Sequence, residues 1–171
     1  MTAVTPAQPA GYSGTPLPKK LGIKPGARVG LAGAPDGFGA LLEPLPDGAR
    51  IEAGAAAADA PAADSAGAVL PGPGPVLPGA VLPGIGPFDV IVFFTVEQAE
   101  LADRLSELRA RMAPAAGLWI AWPKRASRVP TDMTEDVIRE IALPTGLVDN
   151  KVCAIDTVWS GLRLVIRREL R

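Results

Sequence analysis

The sequence of 171 residues contains no histidine. That absence removes Ser-His and Cys-His nucleophilic catalysis, histidine-based metal sites, and imidazole as a general base or pH switch. Cys153 is the only cysteine, so no internal disulfide can form and nothing points to an oxidising compartment. Tyr12 is the only tyrosine, which leaves carboxylates, lysines, Tyr12 and Cys153 as the groups able to move a proton. No catalytic triad, metal-ligand cluster or complete phosphate loop is present. Net charge is also lacking: a formal value of −1 argues against a general electrostatic grip on nucleic acid, and Lys124, Arg125 and Arg128 form only a local basic cluster. Long apolar runs are missing too, because Pro and Gly break every stretch far short of a membrane span, and Met1 to Thr15 lack a basic region followed by an apolar one. The expectation is a cytoplasmic protein with no membrane contact.

What the chain has in quantity is small and turn-forming residues, with 19 Gly and 19 Pro. They are unevenly spread. Residues 1–11 are small and polar and read as a disordered tail. Residues 12–25 read as an arm, Tyr12-Ser13-Gly14-Thr15-Pro16-Leu17, followed by a short helical turn that Gly22 and Pro25 end. Residues 54–86 are Ala-rich and then repeat Val-Leu-Pro-Gly from Val69, Val76 and Val81. Without aromatic residues they bury too little to offset the entropy of ordering, so they read as a flexible insertion within an α/β domain over 26–168.

Within that domain the periodicities alternate. Arg28 to Ala32 reads as a buried strand, Gly33 to Gly39 as a Gly-rich turn, Phe38 to Leu45 as a short helix and Ala49 to Ala53 as a weak second strand. Phe88 to Phe94 is a continuous apolar run suited to a central strand covered on both faces. Leu101, Leu105, Leu108 and Met112 make one stripe, which predicts a helix over Glu97 to Ala113. Leu118 to Trp122 is the next strand, and Asp132 with Glu135 looks like the capping box of a further helix that buries Val137, Ile138 and Ile141. Lys151 to Ile155 and Leu162 to Arg167, joined by a tight turn, predict a closing antiparallel hairpin. The fold class is therefore α/β, a single compact Rossmann-like domain whose mostly parallel sheet ends in that C-terminal hairpin.

This order of elements resembles the class I methyltransferase-like Rossmann fold over residues 26–53 and 87–168, which implies S-adenosylmethionine as a ligand to consider. The family's Gly-x-Gly-x-Gly turn is replaced here by Gly33-Ala34-Pro35-Asp36-Gly37-Phe38-Gly39, where Pro35 removes a backbone donor. A closer likeness rests on longer strings: Tyr12-Ser13-Gly14-Thr15-Pro16-Leu17, Lys20-Leu21-Gly22-Ile23, Leu118-Trp119-Ile120-Ala121-Trp122-Pro123-Lys124, Thr131-Asp132, Leu147 to Asp156 and Trp159-Ser160-Gly161-Leu162-Arg163. On these the chain resembles the mainly actinobacterial family of uncharacterised proteins known as DUF3052. That resemblance carries kinship and no activity.

The candidate ligand residues are Asp36, Gly37, Thr95, Trp122, Lys124 and Arg125. Each has a plainer reading beside it. The Gly33 to Gly39 loop either accepts a phosphate or nucleoside, with Glu52 as a ribose-binding acid, or is a tight strand-to-helix turn. Trp122-Pro123-Lys124-Arg125 either offers a stacking surface with anion-binding charge or is a strand end with its Trp in the core. Lys151, flanked by Asp149 and Asp156, is either a tuned acid or part of a structural ion pair, and Cys153 reads as a small core residue. Tyr12 and Trp159 are candidates for contact with a partner, Trp159 alternatively as a lid on the core. Two functions remain open from the sequence: a non-catalytic binding or regulatory module for an unidentified small molecule or protein, and a degenerate methyltransferase-like enzyme binding a nucleotide-type ligand such as S-adenosylmethionine.

Overall fold

Phe88–Phe94 is buried at every position except Asp89, and it runs through the middle of a six-stranded sheet. The computed structural model describes residues 16–35, 38–53, 82 and 87–171. The strands are β1 (Arg28–Ala32), β2 (Arg50–Ala53), β3 (Phe88–Phe94), β4 (Met112–Pro123), β5 (Leu147–Ala154) and β6 (Trp159–Ile166), in the order β2-β1-β3-β4-β6-β5. β2, β1, β3 and β4 are mutually parallel; β6 inserts antiparallel between β4 and β5. The mostly parallel sheet with a closing antiparallel pair is the architecture the periodicities predict.

Helices cover both faces, which is why the central strands carry no polar alternation. On one face, α3 (Gln98–Ala110) and α4 (Glu135–Ala142) bury Leu101, Leu105, Leu108, Ile138 and Ala142 against Phe93, Leu118, Ile120 and Trp122. On the other, α1 (Leu17–Leu21) and α2 (Phe38–Leu41) bury Leu17, Leu21 and Phe38 against Val92, Phe94, Trp119 and Trp159. Each of the Leu and Ile side chains stabilises the fold by roughly 1.5–3 kcal/mol through removal from water. α1 stops at Gly22, whose φ of 81° lets Ile23 N–H return to the Pro18 carbonyl at 2.9 Å.

Several boundaries differ from expectation for identifiable reasons. The Leu101 stripe ends its helix at Ala110, and Met112, though buried, already pairs with Phe88 as the first residue of β4. Between that pair and Val90–Gly117 the register shifts, so Pro114, which has no N–H to give a ladder, sits in a bulge. The expected helix over Phe38 to Leu45 is one turn, Phe38–Leu41. Asp132 does not cap α4. Thr134 does, its side chain accepting from Val137 N–H at 3.1 Å, while Asp132 accepts from the backbone N–H of Gln98 at 2.8 Å and so caps the first turn of α3. The proposed insertion lies outside the described residues except for Leu82, which is buried against Phe88 and the Gly30 backbone, so core packing extends into its far end. Residues 1–11 and Tyr12 also lie outside them.

Candidate functional site

The chain leaves β1 for β2 on one side and returns to β3 on the other, so a crevice opens at the carboxyl ends of β1 and β3. β1 exits through Gly33, at φ 71°, into the loop that holds Asp36 and Gly37; those two residues lie outside the described set. β3 exits through Thr95, which is fully buried. Its hydroxyl donates to the Glu100 carboxylate at 2.6 Å and accepts from Glu97 N–H at 3.1 Å. Beneath the crevice Phe38, Phe94 and Trp159 form an edge-to-face chain with centroid separations of 4.8 and 5.0 Å.

Glu52 faces away from that edge, forming a two-pronged ion pair with Arg28, one arm Arg28 Nη2 to Glu52 Oε1 at 2.9 Å and the other Arg28 Nε to Oε2. The guanidinium beside it holds the Glu52 carboxyl below the usual carboxylate range. Glu52 thus serves the pairing of β1 with β2, and its carboxylate oxygens are already engaged.

A second depression, of about 590 Å³, lies at the carboxyl end of β4 on the α3/α4 face. Trp122 forms part of its floor; Arg125, Arg128, Thr131 and Glu135 stand around it. The loop that follows β4 borders it. Arg125–Ser127 makes a single 3-10 turn closed by Arg128 in the left-handed conformation at φ 61°, and Ser127 Oγ donates to the Lys124 carbonyl at 2.7 Å. Thr131 then ties the loop to the exit of β3 by donating to the Val96 carbonyl at 2.6 Å. Among the described residues Arg125 and Arg128 have no ion-pair partner, so two exposed guanidinium groups line the same depression as the mostly buried Trp122.

Of the candidates read from sequence, Trp122 and Arg125 therefore come together, Thr95 lies at the neighbouring strand end, and Lys124 separates from them. The Lys124 charge, with Lys151 and Lys20, acts instead on Cys153 across the hairpin. Burial pushes the Cys153 thiol up, and those cations offset only part of the rise, so Cys153 is a packing residue in character. Trp159, at 1% exposure, is seated against Phe94 in the core, which is the second of its two readings. The acids flanking Lys151 also have other work: Asp149 pairs with Arg139 at 3.1 Å, Asp156 accepts from Val158 and Trp159 N–H, and Lys151 Nζ donates to the Lys20 carbonyl at 3.0 Å. Arg128, a member of the basic cluster that was not among the candidate ligand residues, lines the same depression as Arg125.

No family model matches the sequence, and neither does any curated protein. Solved structures do. A SAM-dependent methyltransferase from Aquifex aeolicus is similar at a TM-score of 0.52 and 16% identity, over 87% of this chain and 87% of that one. TrmN from Thermus thermophilus is similar at 0.52 and 15% identity, over 88% of this chain and 47% of that one. The likeness shows the fold. The chain spans only 39% of the ribosomal protein L11 methylase from Lactobacillus delbrueckii and 40% of the magnesium protoporphyrin IX methyltransferase from Synechocystis, at TM-scores of 0.37 and 0.38 and identities of 14% and 17%, with 49% and 48% of this chain covered. Among the described residues no helix is long and apolar enough to cross a membrane, and no group of three or more His, Cys, Asp or Glu is placed to hold a metal ion.

Proposed function

We propose that this protein is a non-catalytic binding module on a methyltransferase-like scaffold, taking an anionic, partly planar small molecule at the carboxyl end of β4. The observation that carries this reading is the cleft itself, where Trp122 is in the lining and Arg125 and Arg128 contribute charge that no carboxylate among the described residues pairs with, the lining acids Glu135 and Asp136 being turned to Arg139. Guanidinium forks bind carboxylate or phosphate in two-pronged fashion and stack on planar groups, which sets the ligand class. The backbone at Arg128 supports it further, because a non-glycine residue held at φ 61° is retained against a local conformational cost.

A second reading is a methyltransferase-like enzyme that binds S-adenosylmethionine in the crevice between β1 and β3. The fold likeness at a TM-score of 0.52 favours it. The commitment of the Thr95 hydroxyl proton to Glu100 and the two-pronged pairing of Glu52 with Arg28 weigh the other way, since both side chains are already oriented by internal partners.

One experiment separates the two. Melting temperature is followed with S-adenosylmethionine, S-adenosylhomocysteine, nucleotides and acyl-coenzyme A, because a ligand held only by the native state must raise it. The binding-module reading expects a shift that Arg128→Asn abolishes, Asn being tolerant of the left-handed backbone. A shift with S-adenosylmethionine that survives Arg128→Asn, together with transfer of its labelled methyl group, selects the enzyme instead.

A further inference from the structure

At the opposite end of the sheet, near the amino ends of the parallel strands, a depression of about 360 Å³ lies between the Gly22–Ala27 segment and the start of β4. Arg163 of β6 reaches into it. Arg163 stands directly opposite Trp119 in the β4–β6 ladder and shares its face of the sheet, so its side chain runs over Gly117. A Cβ at position 117 would lie 2.5 Å from Arg163 Nε and 2.9 Å from its Cζ, which no real contact permits; glycine there is the notch that lets the guanidinium lie flat on the strand.

The group is poorly compensated for a guanidinium in such a place. Among the described residues its one hydrogen bond is a long one from Nη1 to Asn150 Oδ1 at 3.4 Å, and no carboxylate there pairs with it. The surrounding charges are Lys24 and Asp89 in the lining, and Arg171 close enough to act on Arg163. Asp89 turns one carboxylate oxygen to the Arg28 N–H at 2.8 Å. Partial burial, with repulsion from Arg171 behind it, pushes the Arg163 guanidinium below its ordinary value. A positioned guanidinium fork with open donors is a form in which proteins hold oxyanions.

We infer that the depression roofed by Gly22–Ala27 is a second binding site, in which Arg163, seated on Gly117 and assisted by Lys24, receives the carboxylate or phosphate of a small molecule. The site is separate from the β4 cleft and stands or falls independently of the function proposed there.

The test uses the full chain with two probes, sodium phosphate and sodium succinate, each titrated at constant ionic strength against sodium chloride. Melting temperature and binding isotherms are the readouts. The expected result is a saturable rise with at least one probe, with the responding probe naming the anion class. Arg163→Met should weaken that binding about tenfold or more, the scale of losing a charge-assisted pair of hydrogen bonds. Lys24→Met should weaken it by a smaller factor, and Arg104→Met, which removes a cation of α3 outside both depressions, should leave it unchanged. No saturable response to either anion overturns the inference, as does an equal response in Arg163→Met. Should Arg163→Met fail to fold, Arg163→Lys keeps the charge and loses the planar fork; binding undiminished in that variant overturns the inference as well.

Discussion

Trp119 Nε1 donates to the main-chain carbonyl of Leu21 at 3.0 Å, joining the interior of β4 to the end of α1 across 98 residues of sequence. Both residues are fully buried. α1 is too short to form a stable helix alone, so its order derives from this contact and from the burial of Leu17 and Leu21. Leu21→Ala should destabilise the protein by about 2–5 kcal/mol. Trp119→Phe, which strands the Leu21 carbonyl, should cost at least about 1–3 kcal/mol. In urea denaturation the two effects should fall short of additivity, since either change loosens the docking of α1 on β4. Strict additivity would mean that α1 is held by something else.

The register of the C-terminal pair makes a second prediction. Gly161 faces Trp119 and Ile155 so closely that an added Cβ would meet Ile155 Cδ1 at 2.8 Å and Trp119 Cε3 at 3.0 Å. The isoleucine end can turn aside, but the indole is wedged at zero exposure. Gly161→Ala should therefore cost about 1–3 kcal/mol by overpacking, read as a lower urea midpoint at unchanged slope.

These contacts mark where sequence reading succeeds and where it stops. The run Phe88–Phe94 and the stripe of Leu101, Leu105 and Leu108 carry their own periodicity, and the strands and helices they predict are present. Asp132 was legible as a cap but not as the cap of α3 rather than α4, because that choice depends on Gln98 arriving 34 residues earlier in the chain. The same limit applies to the site. The basic string Lys124-Arg125 places two cations side by side in sequence, while the 3-10 turn that follows sends them to different surroundings, Arg125 to the cleft and Lys124 to the vicinity of Cys153. Arg163 in its Trp-Ser-Gly-Leu-Arg string gave no sign of its seat on Gly117, a contact made only when β6 pairs with β4.

Deletion within the 54–86 segment is expected to respect Leu82. Removing residues 55–80 and joining the ends with a short Gly/Ser link should leave the melting temperature nearly unchanged, because loop closure depends only weakly on length. Extending the deletion through Leu82 removes a side chain packed on Phe88, and should cost about 2–5 kcal/mol. Equal behaviour of the two deletions would show that Leu82 adds nothing; a large loss from the shorter one would show that 55–80 packs.

Acid stability should depend on Glu52 and Asp132. Each carboxyl is held below its ordinary value, Glu52 chiefly by the hydrogen bond from Arg28 and Asp132 chiefly by the Gln98 backbone N–H. A depressed folded value means the unfolded chain binds protons first, so the contribution is complete above the unfolded range, about pH 4–5, and is lost as pH falls through the folded values. Glu52→Gln with Asp132→Asn should lower stability at pH 7 and flatten its decline below pH 5, measured as urea midpoints against pH. An unchanged acid limb would remove both groups from the account.

Cys153 offers the last check, on whether the cations around it create reactivity. Burial raises the thiol, and the charges of Lys151, Lys20 and Lys124 counteract it only in part, so the thiolate should form only above the ordinary thiol range of about 8.5. Alkylation by iodoacetamide should accordingly be slower than that of a free thiol at pH 7.5, and the rate should still be climbing at pH 9. Lys124→Met should slow it further at every pH by withdrawing one stabilising charge. A rate that levels off below pH 8 would reveal an activated thiolate at the hairpin and would return Cys153 to the set of functional candidates, with Lys124 as its activating neighbour.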